Sequence, residues 1–184
     1  MLLSGLFTIV VHSTAQAVTP VVCNFTTKVH YTPGLKNLPN PLQDDITITT
    51  TNGALTSCIG DPDLQADSNG VYASFTAYGK AAKPALTSCA AGAYVSDNLT
   101  DSSVRWNLVS NPSDTANSSS YSWNLASLAE QITQQKGGGG TLTGRYNGAT
   151  FTFAVTSVIP GLGACSDTNG LQQATLTGVA TLVR

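Results

Sequence analysis

The sequence predicts an all-β fold: a single antiparallel, barrel-like domain of about eight to ten strands, with a Greek-key β-sandwich as the alternative. Charged residues make up only 10% of the 184 residues, against about 25% in an average soluble domain. Thr, Ser and Asn supply the polar surface instead, and Thr favours strands because its branched side chain suits a pleated face. Short segments that alternate apolar with polar residues recur at spacings typical of sandwiches and barrels.

The first seventeen residues have the features of an export signal. An apolar run leads into Ala15-Gln16-Ala17, a small-x-small cleavage signature. We therefore predict a signal peptide over residues 1–17 and a single β-rich domain over residues 18–184, in a secreted, extracellular protein. The first cation is Lys28, although a secretory signal normally begins with Lys or Arg. This absence indicates a signal that is truncated at its start.

A short membrane anchor and a buried first strand are the rival interpretations of the same segment. A spanning helix needs about 20 apolar residues, and here polar residues interrupt the run from His12 onward. Beyond Ala17 no apolar run approaches that length, so we predict no membrane span once the signal is removed.

The eight Lys and Arg residues are scattered and the net charge is −2. Nucleic-acid binders concentrate basic residues on one face, so we predict no nucleic-acid partner.

Alternation and turn signals define the predicted strands. They cover residues 23–31, 46–50, 71–78, 104–108, 121–125, 149–158 and 173–183. Pro33-Gly34 is predicted to end the first strand, Asn52-Gly53 to turn the chain after the second, and Asn147-Gly148 to form a hairpin. Phe151 and Phe153 are in phase within the sixth strand, so both are predicted to face the same side.

One segment departs from the β pattern. Its apolar residues recur at helical spacing, at Leu125, Leu128, Ala129 and Ile132. Ser127 followed by Glu130 also matches a capping box, in which the two side chains bond the first free backbone N–H groups of a helix. These features predict a short helix near residues 127–136. The alternative is a hairpin strand that ends in the glycine run at 137–140.

Four cysteines form an even set, which in an exported chain predicts two disulfide bonds. They are Cys23, Cys58, Cys89 and Cys165. Three pairings are open from the sequence. The repeated pentapeptide Ala-Leu-Thr-Ser-Cys ends at Cys58 and again at Cys89, which favours a Cys58–Cys89 bond and leaves Cys23 for Cys165. Zinc is disfavoured because the chain has no CxxC pair.

Three short motifs resemble a known group of proteins. They are residues 30–35 (HYTPGL), residues 144–149 (GRYNGA), and the ending that runs from Cys165 through Gly170-Leu171 into a Thr- and Gly-rich strand. Together they resemble a family of uncharacterised secreted β-rich proteins of actinomycetes. The resemblance implies export and an antiparallel β fold with disulfide bonds. It implies no activity and no functional residues. The chain departs from the family at residues 127–136, which would be strand there.

An acidic stretch over residues 61–70 is the candidate metal site. Its side chains offer the hard oxygen ligands that Ca²⁺ prefers, at Asp61, Asp63, Asp67 and Asn69. The stretch does not follow EF-hand spacing, because Gln65 and Ala66 stand where that motif requires an oxygen ligand and a glycine. A polar hairpin loop without metal is the alternative. Calcium is the one cofactor that the sequence suggests.

No catalytic residues are predicted. A Ser or Cys nucleophile normally needs a His base, and His30 is the only histidine after the predicted signal. Its position at a strand end favours a surface or cross-strand role. Paired carboxylates suit a glycosidase, but the Asp clusters lie in turn-like sequence, where Asp occurs for its own conformational reasons. Beyond residues 61–67, these clusters are Asp44/Asp45 and Asp97/Asp101.

The function predicted from the sequence is non-enzymatic. We expect a secreted binding or cell-envelope interaction module, with a small molecule, a glycan or an envelope component as its ligand. Aromatic residues offer a binding face, at Tyr72, Tyr78, Tyr94, Trp106, Tyr121, Trp123 and Tyr146; the alternative places both tryptophans in the core. A small extracellular hydrolase that uses Asp carboxylates is the second hypothesis. A structural surface protein without a ligand is the third.

Overall fold

The computed structural model describes residues 19–37, 46–80, 102–109, 117–121 and 138–184. Within these ranges, eight antiparallel strands form one sheet that closes into a barrel-like ring. They are β1 (Val21–Leu35), β2 (Thr47–Ile59), β3 (Val71–Lys80), β4 (Ser102–Trp106), β5 (Ser118–Tyr121), β6 (Gly138–Gly144), β7 (Thr150–Pro160) and β8 (Leu171–Val183). Each strand pairs with the next in sequence, and β8 pairs with β1. The predicted all-β, barrel-like fold class is therefore confirmed.

The two ends of the barrel differ in what they carry. The terminal end holds the start of β1 and the end of β8, which pair in the register Val21↔Leu182. The β2–β3 and β6–β7 connections lie at this end. The loop end holds the end of β1, the start of β8 and the connection between β7 and β8 at residues 161–170. Because closure pairs the first strand with the last, the ring leaves no free sheet edge.

The predicted turn at Asn52-Gly53 is wrong, because β2 continues through it as a β-bulge. Asn52 adopts a left-handed φ of 53°, and the pairing with β3 shifts register between Thr50 and Gly53. One extra residue is thereby accommodated without ending the strand. A Cβ at Gly53 would lie 2.7 Å from the Phe75 ring, so the bulge requires glycine at this point. Similarly, β1 continues past the predicted stop at Pro33 to Leu35.

Gly138, Gly139 and Gly140 form the start of β6, before the β6–β7 hairpin. Gly138 lies opposite Phe153 of β7, and Gly140 lies opposite Phe151. Glycines opposite large rings leave space for these rings to cover the neighbouring backbone. The hairpin predicted at Asn147-Gly148 is confirmed, since β6 and β7 pair on either side of it. The predicted helix at residues 127–136 lies outside the described residues.

An aromatic cluster fills the interior of the barrel. The Phe153 ring centroid lies 4.5 Å from that of Phe151 and 5.2 Å from those of Phe25 and Phe75. Tyr121 adds a fifth ring at 6.5 Å from Phe153. All five side chains are buried. The described strands thus enclose a packed core of their own side chains.

The disulfide pairing favoured by the repeated pentapeptide is wrong. Cys23 of β1 is bonded to Cys58 of β2, its neighbour across the strand pair. Register shifts between the Val22↔Ile59 and Asn24↔Thr56 pairs, and the irregularity brings Cys58 opposite Cys23 on the inner face. Cys165 is also disulfide-bonded, whereas Cys89 lies outside the described residues.

No helix with the length and hydropathy of a membrane span occurs in the part of the chain that the structure describes.

Candidate functional site

The acidic residues predicted as calcium ligands lie in the β2–β3 connection at the terminal end, and two of them are bonded to basic side chains. Asp61 forms an ion pair with Arg184 and accepts a hydrogen bond from the Tyr146 hydroxyl at 2.9 Å. Asp63 forms an ion pair with Arg145 at 2.9 Å. These five residues, Asp61, Asp63, Arg145, Tyr146 and Arg184, are called the terminal cap below.

The terminal cap covers the buried indole of Trp106. Tyr146 contacts that indole edge to face at 4.9 Å between ring centroids. The guanidinium groups of Arg145 and Arg184 lie 5.0 Å and 4.5 Å from the centroid of the Tyr146 ring, within the range of a cation–π interaction. Trp106 Nε1 donates to Ser119 Oγ at 2.9 Å, and that hydroxyl donates to the Arg145 carbonyl. The terminal end of the barrel is therefore closed by the protein's own side chains.

The other two predicted ligands take part in a tight turn. One carboxylate oxygen of Asp67 accepts the backbone N–H groups of Asn69 at 2.8 Å and Val71 at 2.9 Å, which fixes the loop as it enters β3. Within the described ranges, no group of three or more His, Cys, Asp or Glu side chains is placed to hold a metal ion. The geometry assigns Asp61 and Asp63 to ion pairs, and calcium binding stays a prediction.

The aromatic residues proposed as a binding face do not form one within the described ranges. Trp106 and Tyr121 are buried, as predicted by the core alternative for Trp106. Tyr72 is half-buried and Tyr78 is exposed on β3. Tyr94 and Trp123 lie outside the described residues, as do the clusters at Asp44/Asp45 and Asp97/Asp101.

The loop end carries an ordered connection that we call the loop platform, residues 161–170. The backbone of Leu162 bonds β8 at both of its polar groups: its N–H donates to the Gln173 carbonyl at 3.3 Å, and its carbonyl accepts the Gln172 N–H at 2.8 Å. Asp167 accepts the Ala164 N–H on its carboxylate at 2.7 Å and closes the tip of the loop. Lys36 donates to the Asp167 carbonyl at 3.3 Å. The loop is thereby tied to both β8 and the end of β1.

Glycines allow close backbone contacts within the platform and between the platform and β1. A Cβ at Gly34 would collide with the Asn169 carbonyl oxygen, and a Cβ at Gly163 would collide with the Gly170 carbonyl oxygen. Both contacts are backbone to backbone, so neither partner has a side chain that could move away. The disulfide-bonded Cys165 anchors the same loop covalently. A loop held in this way loses little conformational entropy when it binds a ligand.

Two adjoining depressions lie beside the platform. The smaller has a volume of about 290 Å³ and is lined by residues 30–34 of β1 together with Leu162 and Gln172. The larger has a volume of about 720 Å³ and is lined mainly by the platform, at Leu162, Gly163, Ser166, Asp167, Thr168, Asn169 and Gln172. Leu162 and Gln172 are common to both. The predicted cross-strand role of His30 agrees with the hydrogen-bond distance of 3.2 Å between its Nε2 and Thr51 Oγ1.

Sequence reasoning did not identify the platform as a site. In the sequence, Cys165 and Gly170-Leu171 contribute only to the resemblance and to the predicted disulfide bonds. A cysteine among Gly, Asp, Ser, Thr and Asn residues is itself a usable signal, because it indicates a loop that is covalently held and rich in hydrogen-bonding groups.

Tyr31, on the inner face of β1, makes the stability of the fold depend on pH in the alkaline range. Burial raises the pKa of its hydroxyl to about 12, and that hydroxyl makes no hydrogen bond within the described part of the chain. Because the folded-state pKa exceeds the unfolded value of 10, the stabilisation is complete below pH 10 and is lost as the pH rises toward 12. The loss at pH 12 is about 2 kcal/mol.

We therefore expect Tyr31→Phe to unfold with the same free energy as the wild type near pH 8 and to resist alkali better. Removing a hydroxyl to which no described residue is hydrogen-bonded costs little at neutral pH. Urea unfolding at pH 8 and at pH 12 measures both effects. Part of the alkaline loss should persist in the variant, because burial and the neighbouring Asp61 also raise the pKa of Tyr146 to about 12. Identical pH profiles for the two proteins would contradict the assignment to Tyr31.

Comparison with known proteins finds no family model that matches this chain, and no curated protein or solved structure that is significantly similar to it. The resemblance to secreted actinomycete proteins stays a prediction. The geometry of the two barrel ends is accordingly the basis for interpreting function.

Proposed function

We propose that this protein is an exported, non-enzymatic binding module that holds its ligand at the loop end of the barrel. The main observation that supports this proposal is the contrast between the two ends of the barrel. Side chains fill the interior around Phe153, and the terminal cap closes the other end. Among the described residues at the loop end, in contrast, the loop platform is held by backbone hydrogen bonds and borders two depressions of ligand size.

Export is supported by the redox state of the cysteines. The Cys23–Cys58 bond and the oxidised Cys165 fit an oxidising compartment, since disulfides are rare in reducing cytosol. Export also agrees with the signal predicted over residues 1–17. An extracellular module with few charges would meet the cell envelope or its soluble components, which is the partner class that we propose.

The hydrolase hypothesis finds less support at this end. A glycosidase of the common type needs two carboxyl groups across a concave site. Among the described residues that line the two depressions, Asp167 is the one carboxylate. One of its oxygens accepts the Ala164 N–H, which gives it a role within the loop.

The proposal is tested by placing a charge at either end of the barrel. Leu162 on the platform and Val109 at the terminal end are matched apolar positions, with exposed fractions of 57% and 56%. We expect Leu162→Asp to abolish binding to isolated cell envelopes of the producing organism in a sedimentation assay, and Val109→Asp to leave it intact. Both side chains are exposed, so neither change should unfold the protein.

Circular dichroism and urea unfolding serve as the folding control for both variants. The proposal fails if the wild type does not sediment with envelopes, or if Val109→Asp loses binding while Leu162→Asp keeps it. Equal loss in both variants would likewise contradict a ligand site at the loop end.

A further inference from the structure

We infer that the ligand held at the loop end is a neutral glycan, and that Gln172 is the residue that recognises it. This inference rests on the proposed binding function and names the ligand class of the same site. Gln172 is the first point of evidence, because it lines both depressions. It stands at the start of β8, where the barrel wall meets the platform.

The Gln172 amide is poised for a ligand. Its side chain is half-buried, and within the described residues its amide makes no hydrogen bond, so the group is accessible to a ligand. The backbone beneath it is fixed, because its N–H donates to the Leu162 carbonyl at 2.8 Å. An amide offers two donors and an acceptor. Adjacent hydroxyl groups of a sugar ring can accept from the amide N–H groups and donate to the amide oxygen. The ligand would therefore bond a polar group for which the described part of the chain supplies no partner.

The surroundings of Gln172 favour a neutral ligand. Besides Leu162 and Asp167, the platform side chains that line the larger depression are hydroxyls and an amide, at Ser166, Thr168 and Asn169, and these three are exposed. Among the described residues that line either depression there is no Lys or Arg. Lys36, which reaches the platform, donates to the Asp167 carbonyl. A phosphate, sulfate or carboxylate ligand would thus find no cation in the lining and would face the Asp167 carboxylate.

Apolar surface beside these polar groups suits the two-sided character of a sugar. Leu162 is shared by both depressions and strongly exposed, and Pro33 lines the smaller one. Sugar rings present C–H groups on their faces and hydroxyl groups around their rims. The C–H groups can pack on Leu162 and Pro33 while the rim hydroxyls bond the amides. Because the two depressions adjoin, they suit a linear oligosaccharide that spans both.

The test is titration of the full protein with neutral trisaccharides, using a glucose trimer and an N-acetylglucosamine trimer as probes. Amide chemical-shift changes from NMR give the location and the dissociation constant. We expect changes confined to the platform and to residues 30–34 and 172, with at least one of the two probes. Binding should be the same at low and high salt, because no charge pair is formed.

Gln172→Ala and Gln173→Ala form a matched pair. Gln173 is the next residue on β8 and pairs with His30, but it lines neither depression, since successive side chains point to opposite faces. Losing about two hydrogen bonds should weaken binding by Gln172→Ala roughly tenfold. Gln173→Ala should bind like the wild type.

Each other outcome overturns the inference in a distinct way. Binding only to an acidic oligosaccharide, weakened by salt, would exclude the neutral class. Unchanged affinity in Gln172→Ala would remove the role of that residue. Failure of both neutral probes, with envelope binding still abolished by Leu162→Asp, would overturn the ligand class and leave the proposed binding function standing. If Leu162→Asp instead keeps its binding to cell envelopes, the proposed function itself is refuted.

Discussion

Phe153→Ala is expected to lower the free energy of unfolding by about 3–5 kcal/mol, the range for removing a buried Phe ring. Phe153 is at the centre of the interior cluster, with ring contacts to Phe151, Phe25 and Phe75 at centroid distances of 4.5, 5.2 and 5.2 Å. These rings come from β1, β3 and β7, and the change therefore removes packing that joins strands distant in sequence.

Urea unfolding followed by tryptophan fluorescence measures the effect. Thr152→Ala is the matched control, because residue 152 is adjacent on β7 and faces the outside, where its hydroxyl donates to the Thr181 carbonyl at 3.4 Å. We expect that control to cost about 1 kcal/mol or less. Similar losses in the two variants would mean that the interior cluster does not carry the stability of the barrel.

Removing the Cys23–Cys58 bond by Cys23→Ala with Cys58→Ala is expected to cost about 4 kcal/mol. The estimate follows from the chain entropy of a cross-link between residues 35 positions apart. The bond joins β1 to β2 on the inner face near the terminal end, and Cys23 is buried. The double variant should unfold at a lower urea concentration than the oxidised wild type.

A mutant cycle separates the cross-link from the side chains. Once the first cysteine is replaced, the bond is already gone, so Cys23→Ala alone should lose nearly as much stability as the double variant. Peptide mapping of unreduced protein from the culture medium tests the connectivity at the same time, and its intact mass reports whether residues 1–17 have been removed. A peptide that links Cys58 to Cys89 would contradict the pairing.

Much of the strand pattern was predictable because alternation is a local property. Phe151 and Phe153 share a phase in the sequence, and both face the interior of the barrel. The Asn147-Gly148 hairpin was also predictable locally, since Gly148 takes the left-handed conformation that tight turns favour for glycine, although the other left-handed residues of this connection are Gly144 and Tyr146 and not Asn147. The same dipeptide led to the wrong prediction of a turn at Asn52-Gly53. There Asn52 takes the left-handed conformation in a β-bulge, and the chain does not reverse.

The candidate sites were less predictable, because they depend on residues far apart in the chain. Asp61 looked like a metal ligand among its sequence neighbours, and its partner Arg184 is 123 positions away. The smaller depression beside the platform likewise combines β1 with the β7–β8 connection. No window of sequence contains both sides of either arrangement.

The sequence by itself determined the all-β class, the inward face of the long strands and the even set of cysteines, since composition and alternation are written into each segment. Tertiary structure alone decided the cysteine pairing, the use of Asp61 and Asp63 in ion pairs, and the closure of one end while the other carries the platform. The physical reason is register: strand pairing sets which residues meet across the ring, and a shift of a single residue, as at Cys58, changes every partner.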